Sequence, residues 1–105
     1  MLVKNAHPGT ILKKELEKAG VTLTEFARQI DVPPNRISMI LSGKRSITGD
    51  TALRLGHWFQ NDPKFWLDLQ GRFDLALADA ENGRAISSLP TKDSLQQKPE
   101  QDRLF

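Results

Sequence analysis

Cysteine is absent from the 105 residues. Disulfides, thiolate metal sites and cysteine nucleophiles are thereby excluded, and the chain suits a reducing compartment. No apolar run approaches the roughly 20 residues that a membrane-spanning helix requires. The opening MLVKNAHPG lacks the apolar core of a signal peptide, so a cytoplasmic location is expected. Histidine is scarce as well. His7 and His57 have no HxxxH or HxxE spacing around them from which a metal site could be built. Gly-rich phosphate loops and the G-x-S-x-G elbow are missing. Asp68, Asp74 and Asp79 are spaced so that they do not align on one face of a helix. Neither an enzyme nor a cofactor is expected.

What is present fits one small helical domain, since 105 residues allow a single modest core. The formal net charge of +2 says little alone, but its distribution is uneven. Residues 1–50 hold eight Lys/Arg against five Asp/Glu, and residues 51–105 hold seven against eight. An excess of +3 in the first half suits a surface that faces phosphate, although ordinary scatter gives the same balance.

The informative stretch is TLTEFARQIDVPPNRISMILSGK, Thr22 to Lys44. Thr22 followed three residues later by Glu25 reads as a capping box, with the hydroxyl on the N3 amide and the carboxylate reaching back. Phe26, Ala27 and Ile30 then form the buried stripe of a short amphipathic helix. Asp31-Val32-Pro33-Pro34 breaks the run, and a second helix starts near Pro33 or Pro34, where a missing N–H costs nothing. In that helix Ile37, Ile40 and Leu41 lie together, while Asn35, Ser38, Met39 and Ser42 point away. Gly43 ends it. Two short helices with inward apolar faces, a tight turn and a polar outer face on the second spell a helix-turn-helix.

Other helices frame this unit. From Thr10, the pattern Ile11, Leu12, Leu16, Ala19 marks one that stops at Gly20. After a loop over residues 44–49, Thr48 or Asp50 caps another through Ala52, Leu55, Trp58 and Phe59. Asp62 and Pro63 open a fifth, expected to run to Ala80 or Glu81 and to end at Asn82-Gly83. Phe65, Trp66, Leu69, Phe73, Ala76, Leu77 and Ala80 share its broad apolar face. Leu67 and Leu75 lie off that face and, judged singly, read as scattered surface residues. From Arg84 onward the chain turns polar and aperiodic, so residues 84–105 are expected to form a flexible tail after a domain of residues 1–83. Leu104 and Phe105 stand out there as candidates for docking.

The segment resembles the lambda-repressor-like (XRE-type) DNA-binding fold. Around it, His7-Pro8-Gly9, Gly43-Lys44-Arg45-Ser46-Ile47-Thr48, Asp50-Thr51-Ala52-Leu53-Arg54-Leu55 and Pro63-Lys64-Phe65-Trp66-Leu67-Asp68-Leu69-Gln70 closely resemble antitoxins of HigA type. The similarity spans about Ala6 to Ala80. It implies an all-α, five-helix domain. It implies further a homodimer bonded through the last helix, hence through Leu67 and Leu75, on a palindromic operator, with recognition helices about 34–36 Å apart. It also implies a partner, a small ribonuclease toxin of HigB type, that the protein neutralises. The alternatives are a stand-alone repressor of the same fold without a toxin, or an interaction module that has lost DNA binding. The exposed face of the first helix and the N-terminal arm are guesses for the toxin surface.

By position on the second helix of the motif, Pro34, Asn35, Ser38 and Met39 are the base-reading candidates. An Asn35 amide pairs bidentately with adenine, Met39 and the Pro34 ring pack on a thymine methyl, and Arg36 at the flank suits a guanine edge or a phosphate. Phosphates are expected to meet Thr22, Thr24, Arg28, Ser42, Lys44 and Arg45, beside the positive end of the preceding helix. The simpler reading of Asn35 and Ser38 is a solvated helix face.

Overall fold

The computed structural model describes residues 6–95. They form five principal helices, α1 (Pro8–Ala19), α2 (Leu23–Ile30), α3 (Pro34–Leu41), α4 (Gly49–Phe59) and α5 (Pro63–Ser87), then the single turn α6 (Lys92–Leu95). No strand occurs among the described residues. The architecture is the expected all-α one.

Local chemistry sets most of the boundaries. The Thr22 hydroxyl accepts from the Glu25 amide at 3.1 Å, Thr48 caps α4, and the Asp62 carboxylate accepts from the Lys64 amide at 2.9 Å, with Pro63 as the first residue of α5. Helix α1 ends at Gly20 with φ 71°. Helix α3 ends in a Schellman turn: the Lys44 amide donates to the Met39 carbonyl at 2.8 Å and the Gly43 amide to Ile40 at 3.0 Å, with Gly43 left-handed at φ 80°.

Four expectations need correcting. Helix α1 starts at Pro8 rather than Thr10, because the His7 Nδ1 accepts from the Gly9 amide at 2.9 Å and extends the cap. Ala19 is exposed, since α1 has no neighbour at its last residue. Glu25 does not complete a capping box. Its carboxylate turns down the helix to Arg28 Nε at 3.1 Å and Gln29 at 2.8 Å, and the Arg28 guanidinium holds its pKa below the usual range. Finally, α5 runs through Asn82-Gly83 to Ser87. One glycine within a helix costs only about 1 kcal/mol, and the alanine-rich flank absorbs it. The helix stops near Pro90, with the Ser87 and Ser88 hydroxyls bonded back to the Arg84 carbonyl. Of the segment Met1 to Ala6, expected as an arm or a short extended stretch, residues 1–5 lie outside the described residues, as does the proposed docking pair Leu104 and Phe105.

The core joins all five principal helices: Leu12 and Leu16 from α1, Phe26, Ala27 and Ile30 from α2, Ile37 and Ile40 from α3, Ala52 and Leu55 from α4, and Trp66 from α5. Val32 and Ile47 seal it from the loops on either side of α3. Phe26 meets Trp58 edge-on at 5.0 Å, and Phe59 bridges from Phe26 to Trp66, so aromatic contacts tie α2, α4 and α5 together. The broad face assigned to α5 is narrower than expected. Only Trp66 and Gln70 are buried, with Leu69 packed beside them, whereas Phe65, Leu77 and Ala80 are exposed. The helix outruns the body it packs on: Phe73 meets the His7 ring at 4.9 Å, and Leu77, one turn further, already stands 47% exposed.

Gly9 permits a close approach of backbone to backbone. A Cβ there would overlap the Ile40 carbonyl oxygen and come within 2.9 Å of its carbon, so α1 and α3 touch through backbone. Gly9→Ala is expected to lower the free energy of unfolding by about 1–3 kcal/mol, because a carbonyl cannot rotate aside as a side chain does. Urea denaturation checks this.

His7 gives the fold a pH dependence. Burial lowers its pKa, against the opposing pull of Asp74. As pH falls below the ordinary value of about 6.5, the unfolded chain takes up the proton while the folded one resists, so stability is full above that pH and is lost below it. Unfolding midpoints at pH 7.5 and 5.5 should differ more for the wild type than for His7→Asn, which keeps a capping acceptor that does not titrate.

Candidate nucleic-acid interface

Helix α3 is amphipathic in the sense the motif requires. Ile37 and Ile40 are fully buried, and Pro34, Asn35, Ser38 and Met39 are exposed along the opposite side, Met39 by 36%. Arg36 departs from these four. It is half-buried, and its charge adds slightly to the lowering of the Asp50 pKa.

The six residues expected at phosphates lie at the N-cap and along α2 and just after α3. Thr22 and Thr24 stand at the start of α2, and Ser42, Lys44 and Arg45 follow α3; all are exposed. Arg28 is exposed too, but ion-paired to Glu25. The Thr22 oxygen is engaged as an acceptor in the cap, which leaves its O–H to donate. Ser42 donates to the Met39 carbonyl at 3.1 Å, so its hydroxyl proton is already used within the helix end. Helix α3 has no side-chain cap at its N-terminus, where the positive end of its dipole lies. Leu67 and Leu75 lie on α5, away from this face, 39% and 74% exposed.

Two residues that sequence reasoning passed over hold the motif in position. The Gln70 side chain, 5% exposed, accepts from the Ile47 amide at 2.8 Å and donates to Asp74 at 3.0 Å. This bond reaches from α5 to the loop that follows α3. Its one visible signal was a glutamine in the apolar stripe between Trp66 and Phe73. The second is Arg54. Its guanidinium donates to the Ile30 carbonyl at 2.9 Å and the Asp31 carbonyl at 3.3 Å, while Asp50 binds its Nε at 2.8 Å. The Asp50–Arg54 spacing was readable as a helical pair, but the reach to α2 was not. The Arg54 guanidinium keeps the Asp50 pKa below the usual carboxylate range.

Among the described residues, no three His, Cys, Asp or Glu side chains come together as a metal site. No helix among them is long and apolar enough to cross a membrane. What the geometry offers is a convex polar helix, flanked by hydroxyls and three basic side chains, of a width that a DNA major groove admits.

Known proteins share this arrangement. The Helix-turn-helix family profile matches residues 12–57. Virulence-associated protein A' of Dichelobacter nodosus is 42% identical over 71 residues, which is 67% of this chain and 62% of that protein. The chain thus spans a little under two thirds of that relative's length. The structure of an addiction module antidote protein of a HigA family from Coxiella burnetii aligns with a TM-score of 0.80 and 40% identity, covering 85% of this chain and 98% of the other. Pseudomonas aeruginosa antitoxin HigA, solved with the higBA promoter, aligns with a TM-score of 0.80 and 33% identity over 85% and 98% of the two chains.

The internal support of this surface is open to measurement. Gln70→Ala leaves the buried Ile47 amide without its acceptor, and is expected to cost about 1–3 kcal/mol of stability in urea denaturation.

Proposed function

Because this chain belongs to the HigA family of helix-turn-helix proteins, we propose that it is an antitoxin that neutralises a HigB-type ribonuclease toxin and, as a homodimer, represses its own operon. The observation that carries the DNA half is the division of α3, with Ile37 and Ile40 fully buried and Asn35, Ser38 and Met39 outward. The promoter-bound relative of 33% identity supports it. The toxin half rests on family membership.

In this reading Asn35, Ser38, Met39 and the Pro34 ring meet base edges. Arg36 reads a guanine or binds a phosphate from the rim, and Thr22, Thr24, Arg28, Ser42, Lys44 and Arg45 set the register on the backbone. Arg28 has to exchange Glu25 for a phosphate to do so, and Ser42 contributes through its lone pairs or by giving up its bond to Met39. Leu67 and Leu75, exposed on α5, are assigned to the dimer contact. Their exposure supports that role, since isologous burial in a two-fold pair removes both from water at once. We assign the DNA-binding and dimerisation unit to residues 1–83 and a polar tail to 84–105, whose first residues continue α5. The protein acts in the cytoplasm, where operator DNA and the toxin's RNA substrates are found.

Binding of the full chain to a duplex of its own promoter tests the DNA half. Asn35→Ala should lose about 1–3 kcal/mol of discrimination at one base pair, with little change on non-specific duplex. Equal affinity of wild type and Asn35→Ala for every single-base variant would remove the base-reading assignment. Co-expression with the product of the neighbouring reading frame tests the other half: growth should be arrested by that product alone and restored by this chain. If nothing is restored, a stand-alone repressor remains.

A further inference from the structure

The turn between α2 and α3 is only Asp31-Val32-Pro33, and it enters α3 at a second proline, Pro34. Fixed proline φ angles and three connecting residues leave little slack, so the direction of α3 follows the end of α2. Asp31 closes α2 in the left-handed conformation at φ 57°, and the Ile30 and Asp31 carbonyls at that end accept no backbone amide among the described residues but face α4.

Arg54 meets them there. Its Nη1 donates to Ile30 and Asp31 carbonyls 24 and 23 residues earlier in the chain, and its Nε and Nη2 bind the two Asp50 oxygens at 2.8 and 3.4 Å. The fork is filled on both sides, so the guanidinium works as a bracket from α4 onto the turn. The charges around it agree: the Asp50 carboxylate raises the Arg54 pKa, and the Asp31 carboxylate adds to it.

We propose that Arg54 is a positioning residue for base readout: clamped by Asp50, it holds the α2–α3 turn, and through it the polar face of α3, at the angle that reads the groove, without itself touching DNA. This rests on the DNA-binding reading above.

The test uses the full chain, wild type, Arg54→Ala and Arg54→Lys, with folding of each confirmed by circular dichroism at low temperature. Affinities for a promoter duplex and for a scrambled duplex of equal length are measured over a series of salt concentrations. Arg54→Ala should reduce promoter affinity on the order of tenfold, the scale of a charge-assisted hydrogen bond, while scrambled-duplex affinity and the salt slope stay as in the wild type. Arg54→Lys retains the charge but not the fork, so its promoter-to-scrambled ratio should fall between the two. Should Arg54→Ala fail to fold, a reduced ratio in Arg54→Lys carries the proposal and an unchanged ratio overturns it. An unchanged ratio in both folded variants overturns it, as does a salt slope smaller by about 0.9, which would make Arg54 a phosphate ligand. A wild-type protein that does not distinguish the two duplexes removes the DNA-binding reading itself, and this proposal with it.

Discussion

Burial of Ile37 and Ile40 is the constraint on which the rest of the molecule depends. An eight-residue helix is far too short to persist alone in water, where even favourable sequences need about 12–15 residues. Two fully buried isoleucines, each contributing about 1.5–3 kcal/mol by leaving water, attach α3 to the core, while its other side stays polar and exposed. Every neighbour serves this attachment. α1 approaches α3 through bare backbone at Gly9, α2 supplies Phe26 and Ala27 beneath it, and Val32 and Ile47 seal the core on either side.

Apolar burial is not directional, so it holds α3 down without fixing its angle. Directional bonds supply what burial lacks. The Gln70 amide fixes the loop after α3 from α5, and the Arg54 guanidinium fixes the turn before α3 from α4. The Gln70 bond is buried and the Arg54 bond to Ile30 is half-buried, where a hydrogen bond competes less with water and is costly to leave unmade, whereas the Arg54 bond to Asp31 is exposed. The recognition helix is therefore oriented by polar groups at its two ends and stabilised by apolar ones along its inner side. α5 has a divided role: its first three turns complete the core, and its later turns carry apolar side chains past the edge of the body.

The legible parts of the chain were those written in local chemistry. Thr22, Thr48 and Asp62 act as caps, Gly20 and Gly43 take the left-handed turns, and Pro34 and Pro63 open their helices, each as its side chain or φ preference dictates. Misreadings occurred where two local preferences competed. Glu25 had Arg28 and Gln29 within reach down the helix as well as the cap behind it, and the charged partner prevailed. Gly83 signalled a stop that neighbouring helix formers overrode. Phe65, Leu77 and Ala80 matched the helical period but met no opposing surface, because periodicity states which side a residue faces and not whether anything lies there.

By itself, then, the order of residues determined the five principal helices, the helix-turn-helix, the inward isoleucines and the outward Asn35, Ser38 and Met39, since these follow from spacing and capping within a few residues. Tertiary structure alone decided that α1 and α3 meet through backbone at Gly9, and that Arg54 and Gln70 grip carbonyl and amide groups more than twenty residues away. The physical reason is that such contacts depend on where a folded neighbour places its unsatisfied backbone groups, and no local pattern of side chains records that.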